Sequence, residues 1–199
     1  MRAAKAVGAV KDARSVIIVL GGFAGTGKTT MARRLSLDWS IPRLSSDAIG
    51  RTITTSHGIT DGSIDAYRLA YDMVFALCEE FVQSRISVIL DLNMGWAFQW
   101  RYLDAIRERH SDVVVMPILL RCAREICLER TRQRHAADPG AYDPPEIYAT
   151  DPKILRVAAY LDQLNRTDIH VIDASRGQDE VYGDIRRYLE TRLRLQLDE

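Results

Sequence analysis

Apolar runs along this chain alternate with segments whose apolar residues recur at helical spacing. Three runs that are apolar along almost their whole length predict buried strands, and they cover 15–21, 86–92 and 112–120. Two short strands are predicted over 41–45 and 169–173. The remaining periodic segments predict helices, and they cover 27–38, 64–84, 95–110, 123–135, 153–165 and 178–197. Strands without a polar face that alternate with helices indicate a parallel sheet covered on both sides. The pattern therefore predicts an α/β fold.

Prolines mark two places where this pattern is disturbed. Pro117 lies inside the fourth predicted strand and has no N–H group to donate, so we expect a bulge or a distortion there. The segment 136–151 holds Pro139, Pro144 and Pro145. It is predicted to be a loop, and its position after an arginine-rich helix suggests a short mobile lid.

Length and composition limit the class of protein. The 199 residues correspond to about one domain. Apolar residues make up 47% and charged residues 27%, which argues against disorder. Basic and acidic residues number 27 each, so the formal net charge is zero. This balance does not favour a protein that coats nucleic acid or an anionic membrane, although a local basic groove is not excluded.

Cysteine usage and the chain ends add few constraints. Three cysteines without C-x-x-C spacing indicate neither a disulfide framework nor a zinc site. No apolar stretch approaches the ~20 residues that a membrane-spanning helix needs. Residues 1–14 are basic and alanine-rich and lack the apolar centre of a secretory signal. We expect an N-terminal tail over 1–14, a single domain over 15–199 and a cytoplasmic location.

The first predicted strand is followed directly by a glycine-rich string. Residues Gly22-Phe-Ala-Gly-Thr-Gly27-Lys28-Thr29 match the pattern G-x-x-x-x-G-K-S/T between a strand and a helix. Glycines let backbone N–H groups surround phosphate oxygens, and the following helix directs its positive end toward them. Lys28 would reach the β- and γ-phosphates, and the Thr29 hydroxyl would bind Mg²⁺. The residues expected to contact the nucleotide here are Gly22, Ala24, Gly25, Thr26, Gly27, Lys28, Thr29 and Thr30.

Features elsewhere narrow the class of nucleotide-binding protein. No N-K-x-D string occurs, which counts against a GTPase. Asp91, at the end of the third strand, is followed by Leu92 and not by the glutamate with which an AAA-type ATPase activates water. A kinase takes its attacking hydroxyl from the substrate instead. The sequence thus favours a kinase that uses ATP and Mg²⁺.

Two acidic residues lie at strand ends, where ligands of parallel sheets bind. Asp47 follows the second strand and would accept the proton of a substrate hydroxyl; the alternative is a helix N-cap. Arg51, one helical turn further, would hold an anion or the Asp47 carboxylate. Asp91 would bind the waters of Mg²⁺, and the alternative is a solvated strand-end residue.

Arginines and aromatic residues supply further candidates. Arg130 and Arg134 lie four residues apart on one helix face and would neutralise transition-state charge over the phosphates. The alternative is an exposed basic helix paired with neighbouring glutamates. Trp96 and Trp100 also share a helix face and would stack a flat or sugar-like substrate. The alternative for both is packing against the core.

The order and spacing of these strings resemble the small P-loop kinases. These are relatives of the nucleoside monophosphate kinases and include the polynucleotide 5′-kinase domain, chloramphenicol phosphotransferase and zeta-toxin groups. The likeness spans about 16–188. It rests on the phosphate-loop string, Ser45-Ser46-Asp47 with Arg51, Asp91 with Arg101 downstream, and Leu128-Glu-Arg130-x-x-x-Arg134 before Asp143-Pro-Pro-Glu-Ile147.

The resemblance implies a three-layer P-loop NTPase fold with a five-stranded parallel sheet in the order 2-3-1-4-5 and a short lid at 136–151. It implies that Asp47 is the catalytic carboxylate and that Arg51, Trp96 and Arg101 lie on the substrate side. Arg51 lies four residues after Asp47, whereas the family arginine often lies three after its aspartate. The group that Arg51 contacts is therefore open.

The same resemblance assigns residues around the nucleotide. It implies that Arg134, with Arg130, is a lid arginine, and that Asp173 and Ser175 belong to the loop on the adenine side. Asp91 would be the acidic partner of the Mg²⁺ site.

The favoured interpretation is an ATP-dependent phosphotransferase that acts on a hydroxyl of a small molecule. Alternatives are a kinase of nucleic-acid 5′ ends or nucleosides, a kinase of nucleotide sugars, and a regulatory nucleotide-binding module without turnover. The neutral charge, with Asp61 and Asp65 in the acceptor region, argues against nucleic acid. The presence of both Asp47 and Asp91 argues against the module. The acceptor, the preferred nucleoside triphosphate and the oligomeric state are not identified by the sequence.

Overall fold

Parallel strands and helices alternate through residues 15–57 and 65–197, the part of the chain that a computed structural model describes. The strands are β1 (Val16–Gly22), β2 (Arg43–Ser45), β3 (Val88–Asp91), β4 (Val114–Arg121) and β5 (His170–Asp173). The helices are α1 (Lys28–Trp39), α2 (Ser46–His57), α3 (Ala66–Gln83), α4 (Ala97–Arg109), α5 (Arg124–Ala137), α6 (Ile147–Thr150), α7 (Pro152–Gln163) and α8 (Gln178–Leu197). Hydrogen-bonded neighbours follow the order β2-β3-β1-β4-β5, and all four pairings are parallel. The predicted α/β fold and strand order are confirmed.

Both faces of the sheet are covered, because alternate residues of β1 enter two separate cores. Ile18 and Leu20 pack against α1 and α8 on one face. Ile17 and Val19 pack against α3 and α4 on the other. All seven residues of β1 are buried. A strand with no exposed face is what its continuous apolar run predicts.

Pro117 lies in β4 without disturbing it. β4 pairs with β1 in unbroken register from Val114 to Leu120. The Val114 N–H donates to the Ser15 carbonyl on the β1 side. Alternate residues of a strand direct their N–H groups to opposite neighbours, so Pro117 directs its missing donor away from β1. The β4–β5 pairing begins only at Ile118. The predicted bulge is therefore wrong, because no β5 residue needs a donor from Pro117.

Helix α2 occupies a segment for which the apolar pattern predicted no element. Ser45 directly precedes the helix, and its Oγ accepts a hydrogen bond from the Ala48 N–H at 3.4 Å. Ile53 is buried in a small cluster with Ala66 and Ala70 of α3. The packing of α2 on α3 fixes the position of α2 next to the carboxyl end of β2.

The segment predicted as a loop and lid, 136–151, is partly helical, since its first two residues end α5 and 147–150 form α6. The other predicted elements begin and end within two residues of those observed. The predicted tail, 1–14, and Asp61 lie outside the described residues. Within the ranges described, no helix is both long and apolar enough to cross a membrane.

Candidate active site

The phosphate loop joins β1 to α1 through glycines in the left-handed region. Gly25 and Gly27 have φ angles of 85° and 90°, which only glycine adopts without strain. A Cβ at Gly25 would overlap the carbonyl oxygen of Cys127, so the loop packs directly on α5. No side chain caps the start of α1, and its first N–H groups are therefore available to an anion.

Side chains of the loop divide into structural and outward-facing groups. Thr26 is buried, and both its N–H and its hydroxyl donate to the Phe23 carbonyl, the latter at 2.8 Å. Lys28 and Thr29 are half-buried and Thr30 is exposed at the start of α1. Thr26 closes the loop on itself, whereas Lys28 and Thr29 remain accessible to a ligand.

Asp91 and Thr29 form a pair of oxygen ligands beside the phosphate loop. The Thr29 hydroxyl donates to Asp91 Oδ1 at 3.3 Å, and Asp91 is only 3% exposed. Burial raises the pKa of Asp91, while the charge of Lys28 opposes the rise. A hydroxyl next to a carboxylate suits Mg²⁺, which usually takes one or two protein ligands together with nucleotide phosphates. The donor set therefore fits the predicted metal site.

Arg43 is the site residue that the sequence analysis missed. Its Nη1 donates to Asp91 Oδ2 at 2.7 Å, and its side chain is 18% exposed. The charge of Arg43 also lowers the pKa of Asp91, against the effect of burial. A basic residue in a predicted buried strand is a signal that could have indicated an acidic partner.

Asp47 is exposed in the first turn of α2. Its carboxylate forms no hydrogen bond to another residue of the described part of the chain. The alternative of an Asp47 N-cap is not what the structure contains, because Ser45 Oγ accepts the bond at this helix start. The charge of Asp47 nevertheless contributes to the raised pKa values of Asp91, Tyr71 and Tyr148. Asp47 is therefore close enough to Asp91, Tyr71 and Tyr148 for its charge to affect all three.

Tyr71 forms a hydrogen bond with Asn93 and is near enough to Asp47 to be affected by its charge. Asn93 Nδ2 donates to the Tyr71 hydroxyl oxygen at 2.8 Å, and Asn93 Oδ1 accepts from the Gly95 N–H at 2.9 Å. Burial raises the pKa of Tyr71, so the phenol stays protonated. Ser46 Oγ and Gln99 Nε2 are buried nearby without a hydrogen-bond partner among the described residues.

The segment 136–151 brings further side chains to the same side. Burial raises the pKa of Tyr148 to about 12; Asp143 adds to the rise and Arg134 opposes it. The Arg134 guanidinium lies 5.3 Å from the centre of the Tyr142 ring. Tyr67, on α3, has its pKa raised by burial and then by Asp143. Movement of this segment as a lid stays a prediction.

The charges of Arg51 and Asp47 both affect the pKa of Tyr67. The charge of Asp47 raises the pKa of Tyr67 and the charge of Arg51 lowers it, each less than burial and Asp143 do. Arg51 is exposed. The two residues lie on one helix, one turn apart, and both charges reach Tyr67.

Arg130 and Arg134 have different surroundings. Arg130 Nη1 donates to the Ala174 carbonyl at 2.8 Å, and its Nη2 donates to the Ser175 carbonyl at 3.3 Å. Asp173 Oδ1 accepts from the Ser175 N–H at 2.9 Å and from its hydroxyl at 2.7 Å. Arg130 thus holds the β5–α8 turn, the predicted adenine side, whereas Arg134 lies near Tyr142 and Tyr148.

The two tryptophans also differ. Trp100 is 4% exposed, and its Nε1 donates to the Met94 carbonyl at 3.2 Å, so it packs in the core. Trp96 is half-buried and packs against the α3–α4 core. Arg101 is exposed on α4 and has no hydrogen bond to another residue within the described ranges. The substrate-side roles of Trp96 and Arg101 stay predictions.

A cavity of about 100 Å³ lies behind the phosphate loop and not at Asp47. Its walls include Phe23, Arg124, Ala158 and Asp162, from the loop, α5 and α7. Lys28, Thr29, Asp47 and Asp91 are not among the residues that line it.

A family model described as an AAA domain (AAA_33) matches residues 17–148. The matched range includes the phosphate loop, Asp47, Asp91 and Arg134. The chain belongs to this AAA-domain family. A comparison of this chain with curated proteins finds no match.

Solved structures with the same fold include kinases. A candidate kinase from Chloroflexus aurantiacus has a TM-score of 0.66 at 17% identity, covering 90% of this chain and 98% of its own. A gluconokinase from Sinorhizobium meliloti has a TM-score of 0.57 at 18% identity, covering 92% and 98%. A shikimate kinase from Aquifex aeolicus has a TM-score of 0.51 at 19% identity, covering 88% and 97%. The AAA-domain chain therefore has the fold of the small P-loop kinases, and the resemblance drawn from its sequence is confirmed.

Proposed function

We propose that the protein transfers the γ-phosphoryl group of Mg·ATP to a hydroxyl of a small molecule. The observation that carries the proposal is the position of Asp47. It is an exposed carboxylate in the first turn of α2, two residues after the carboxyl end of β2, and its charge affects Asp91 as well as Tyr71 and Tyr148. A carboxylate between a metal-nucleotide site and an acceptor site is what a kinase needs as its base.

In the proposed reaction, the acceptor oxygen forms a bond to the γ-phosphorus while the bond from that phosphorus to the β–γ bridging oxygen breaks. The acceptor proton goes to Asp47, and ADP leaves. Lys28 and Arg134 hold the phosphoryl oxygens and offset the charge that spreads over them. Mg²⁺, when bound at Thr29 and Asp91, supplies further charge neutralisation. Because such transition states are loose, positioning accounts for most of the acceleration.

The proposed acceptor is small, neutral or only weakly charged, and hydroxylated. The side chains near Asp47 are hydrogen-bonding groups, namely Tyr71, Asn93 and Tyr148. Asp143 and Asp151 add negative charge near Tyr67, which disfavours a polyanion such as a nucleic-acid end. The gluconokinase and the shikimate kinase among the structural relatives support a small-molecule acceptor. A cytoplasmic location is part of this proposal.

An ATP-consumption screen tests the proposal. The purified protein, with Mg²⁺, is offered sugars, sugar acids, shikimate, antibiotics, nucleosides and 5′-hydroxyl oligonucleotides. We expect turnover with one class of small hydroxylated molecule and none with oligonucleotides. A protein that binds ATP but turns over with no acceptor would instead be the regulatory module, and oligonucleotide phosphorylation would replace the small-molecule assignment.

A further inference from the structure

Arg43 places a positive charge inside the sheet next to the metal-binding pair. It is the first residue of β2, and the β2–β3 register sets Arg43 opposite Ile89 and Ser45 opposite Asp91. The Arg43 guanidinium therefore runs along the strand to reach Asp91 Oδ2, at 2.7 Å. Asp91 has a side chain that is 2% exposed and Arg43 one that is 18% exposed. Such an ion pair is little screened by solvent.

The two carboxylate oxygens of Asp91 have different partners. Oδ1 accepts from the Thr29 hydroxyl, and Oδ2 accepts from Arg43 Nη1. A carboxylate that is held through both oxygens cannot rotate freely about its last bond. Oδ1 is thereby kept beside Thr29, at the edge of the phosphate loop.

Arg43 also connects the two halves of the site along the chain. Two residues after Arg43 comes Ser45, which accepts the first hydrogen bond of α2. Asp47 lies in the first turn of that helix. A contact that fixes β2 against Asp91 therefore fixes the origin of the helix that carries Asp47.

We propose that Arg43 is a positioning residue that orients Asp91 toward the metal-nucleotide complex. Partners of this kind behind a metal ligand typically contribute 10–100-fold to metal affinity or activity, on the order of what one oriented hydrogen bond supplies. The inference rests on the proposed function only in assigning Mg·nucleotide to the Thr29–Asp91 pair. It requires no knowledge of the acceptor.

The test uses Arg43→Met, Arg43→Lys, Asp91→Asn and the double variant Arg43→Met/Asp91→Asn. Binding of a fluorescent ADP analogue is titrated with Mg²⁺ and, separately, measured in EDTA. For Arg43→Met we expect the Mg²⁺ midpoint to rise by roughly 10–100-fold, while binding in EDTA changes little. Arg43→Lys keeps the charge and recovers part of the loss. The double variant behaves like Asp91→Asn alone, because Arg43 acts through Asp91.

Urea unfolding of the ligand-free variants is the second measurement. Removing one partner leaves the other charge buried and unpaired, so Arg43→Met should lower the urea midpoint and adding Asp91→Asn should restore most of it. Arg132→Met is the matched control, because Arg132 pairs with Glu129 at the surface, where 61% and 54% of the two side chains are exposed. We expect that control to change neither measurement.

The outcomes separate this inference from the proposed function. A lower urea midpoint with an unchanged Mg²⁺ midpoint would make Arg43 a structural partner only and overturn the inference. A lower Mg²⁺ midpoint in Arg43→Met would mean that Arg43 repels the cation, and would overturn it too. If nucleotide binding by the unaltered protein does not respond to Mg²⁺, the metal assignment fails and the inference fails with it. None of these results depends on phosphoryl transfer.

Discussion

The proposed nucleotide side and the proposed acceptor side of this site are built in different ways. The nucleotide side comes from one short stretch, residues 22–30, and from Asp91 on the adjacent strand. Its donors are backbone N–H groups at a helix start, fixed by glycine conformations. The acceptor side is assembled from α2, α3, the turn after β3 and the segment 136–151, which are far apart in sequence. The nucleotide side therefore depends mainly on local sequence, whereas the acceptor side depends on tertiary packing.

Asp91 and Asp47, the two acidic residues at strand ends, also differ in burial and in hydrogen bonding. Asp91 is buried, and both of its oxygens accept hydrogen bonds. Asp47 is exposed, and no described residue donates to it. A buried, doubly held carboxylate suits a fixed metal ligand, whereas an accessible one can take a proton from a substrate that comes and goes.

Replacing Asp47 should give the largest difference between the effect on phosphoryl transfer and the effect on nucleotide binding. Asp47→Asn removes the proposed base, so transfer should fall by roughly 10²–10⁴, while Mg·ATP affinity stays within a few-fold. Initial rates with the acceptor found in the screen, together with nucleotide titrations, measure both. Asp179→Asn is the control, because Asp179 is also an exposed carboxylate in the first turn of a helix, α8. Normal turnover by Asp47→Asn would remove Asp47 from the mechanism.

Lys28→Met tests the nucleotide side. Loss of the cation that reaches the phosphates should reduce turnover by roughly 10²–10³ and weaken ATP binding, because Lys28 acts in both. The fold should persist, since Lys28 is only half-buried at the edge of the loop. Circular dichroism and ATP titration check this, with the exposed Lys153→Met as control. Unchanged ATP binding and turnover would contradict the assignment of the phosphate loop.

Much of the fold and the phosphate loop could be predicted from sequence, because these features are determined by residues that are close together in the chain. The apolar run of β1 and the string after it determine a buried strand, a glycine turn and a helix start within a few residues. The apolar pattern did not predict α2, which the sequence analysis offered only as the alternative role of Asp47, because Thr52, Ile53, Thr54 and Thr55 are β-branched and disfavour a helix. Packing of Ile53 against α3 outweighs that propensity.

The remaining site features depend on contacts between distant segments. Arg43 meets Asp91 across 48 positions of the chain, and Arg130 meets Ala174 across 44. Periodicity does not indicate which arginine faces which carbonyl or carboxylate. Tyr71 likewise gains its role only by meeting Asn93.

Arg134 and Arg130 should give unequal results when each is changed to methionine. Arg134→Met removes a cation beside the acceptor-side tyrosines, so we expect roughly 10² loss of transfer with little change in nucleotide affinity. Arg130→Met removes charge-assisted hydrogen bonds to the β5–α8 turn, and we expect about ten-fold weaker nucleotide binding. Steady-state kinetics and ADP titration measure the pair. Equal effects on both quantities would contradict the separation of the two arginines.

Tyr71→Phe should produce the smallest effect, and chiefly on stability. It leaves Asn93 Nδ2 without its acceptor in a partly buried place, so unfolding should become easier by about 1 kcal/mol. Tyr67→Phe is the matched control, because Tyr67 is 55% exposed and its loss should change stability by less than about 0.5 kcal/mol. Urea unfolding measures both. Equal stability of the two variants would mean that Tyr71 does not organise the acceptor side.

The fate of a labelled γ-phosphoryl group is the most direct measurement of the central claim. ATP labelled at that group is incubated with Mg²⁺, the protein and the panel of small hydroxylated molecules, and the products are resolved by mass spectrometry. We predict that the label appears as a phosphate ester on one acceptor with the unaltered protein, and that this ester forms roughly 10²–10³ times more slowly with Lys28→Met. Label found only in inorganic phosphate, at a rate that no acceptor and no change at Asp47 alters, would contradict a kinase.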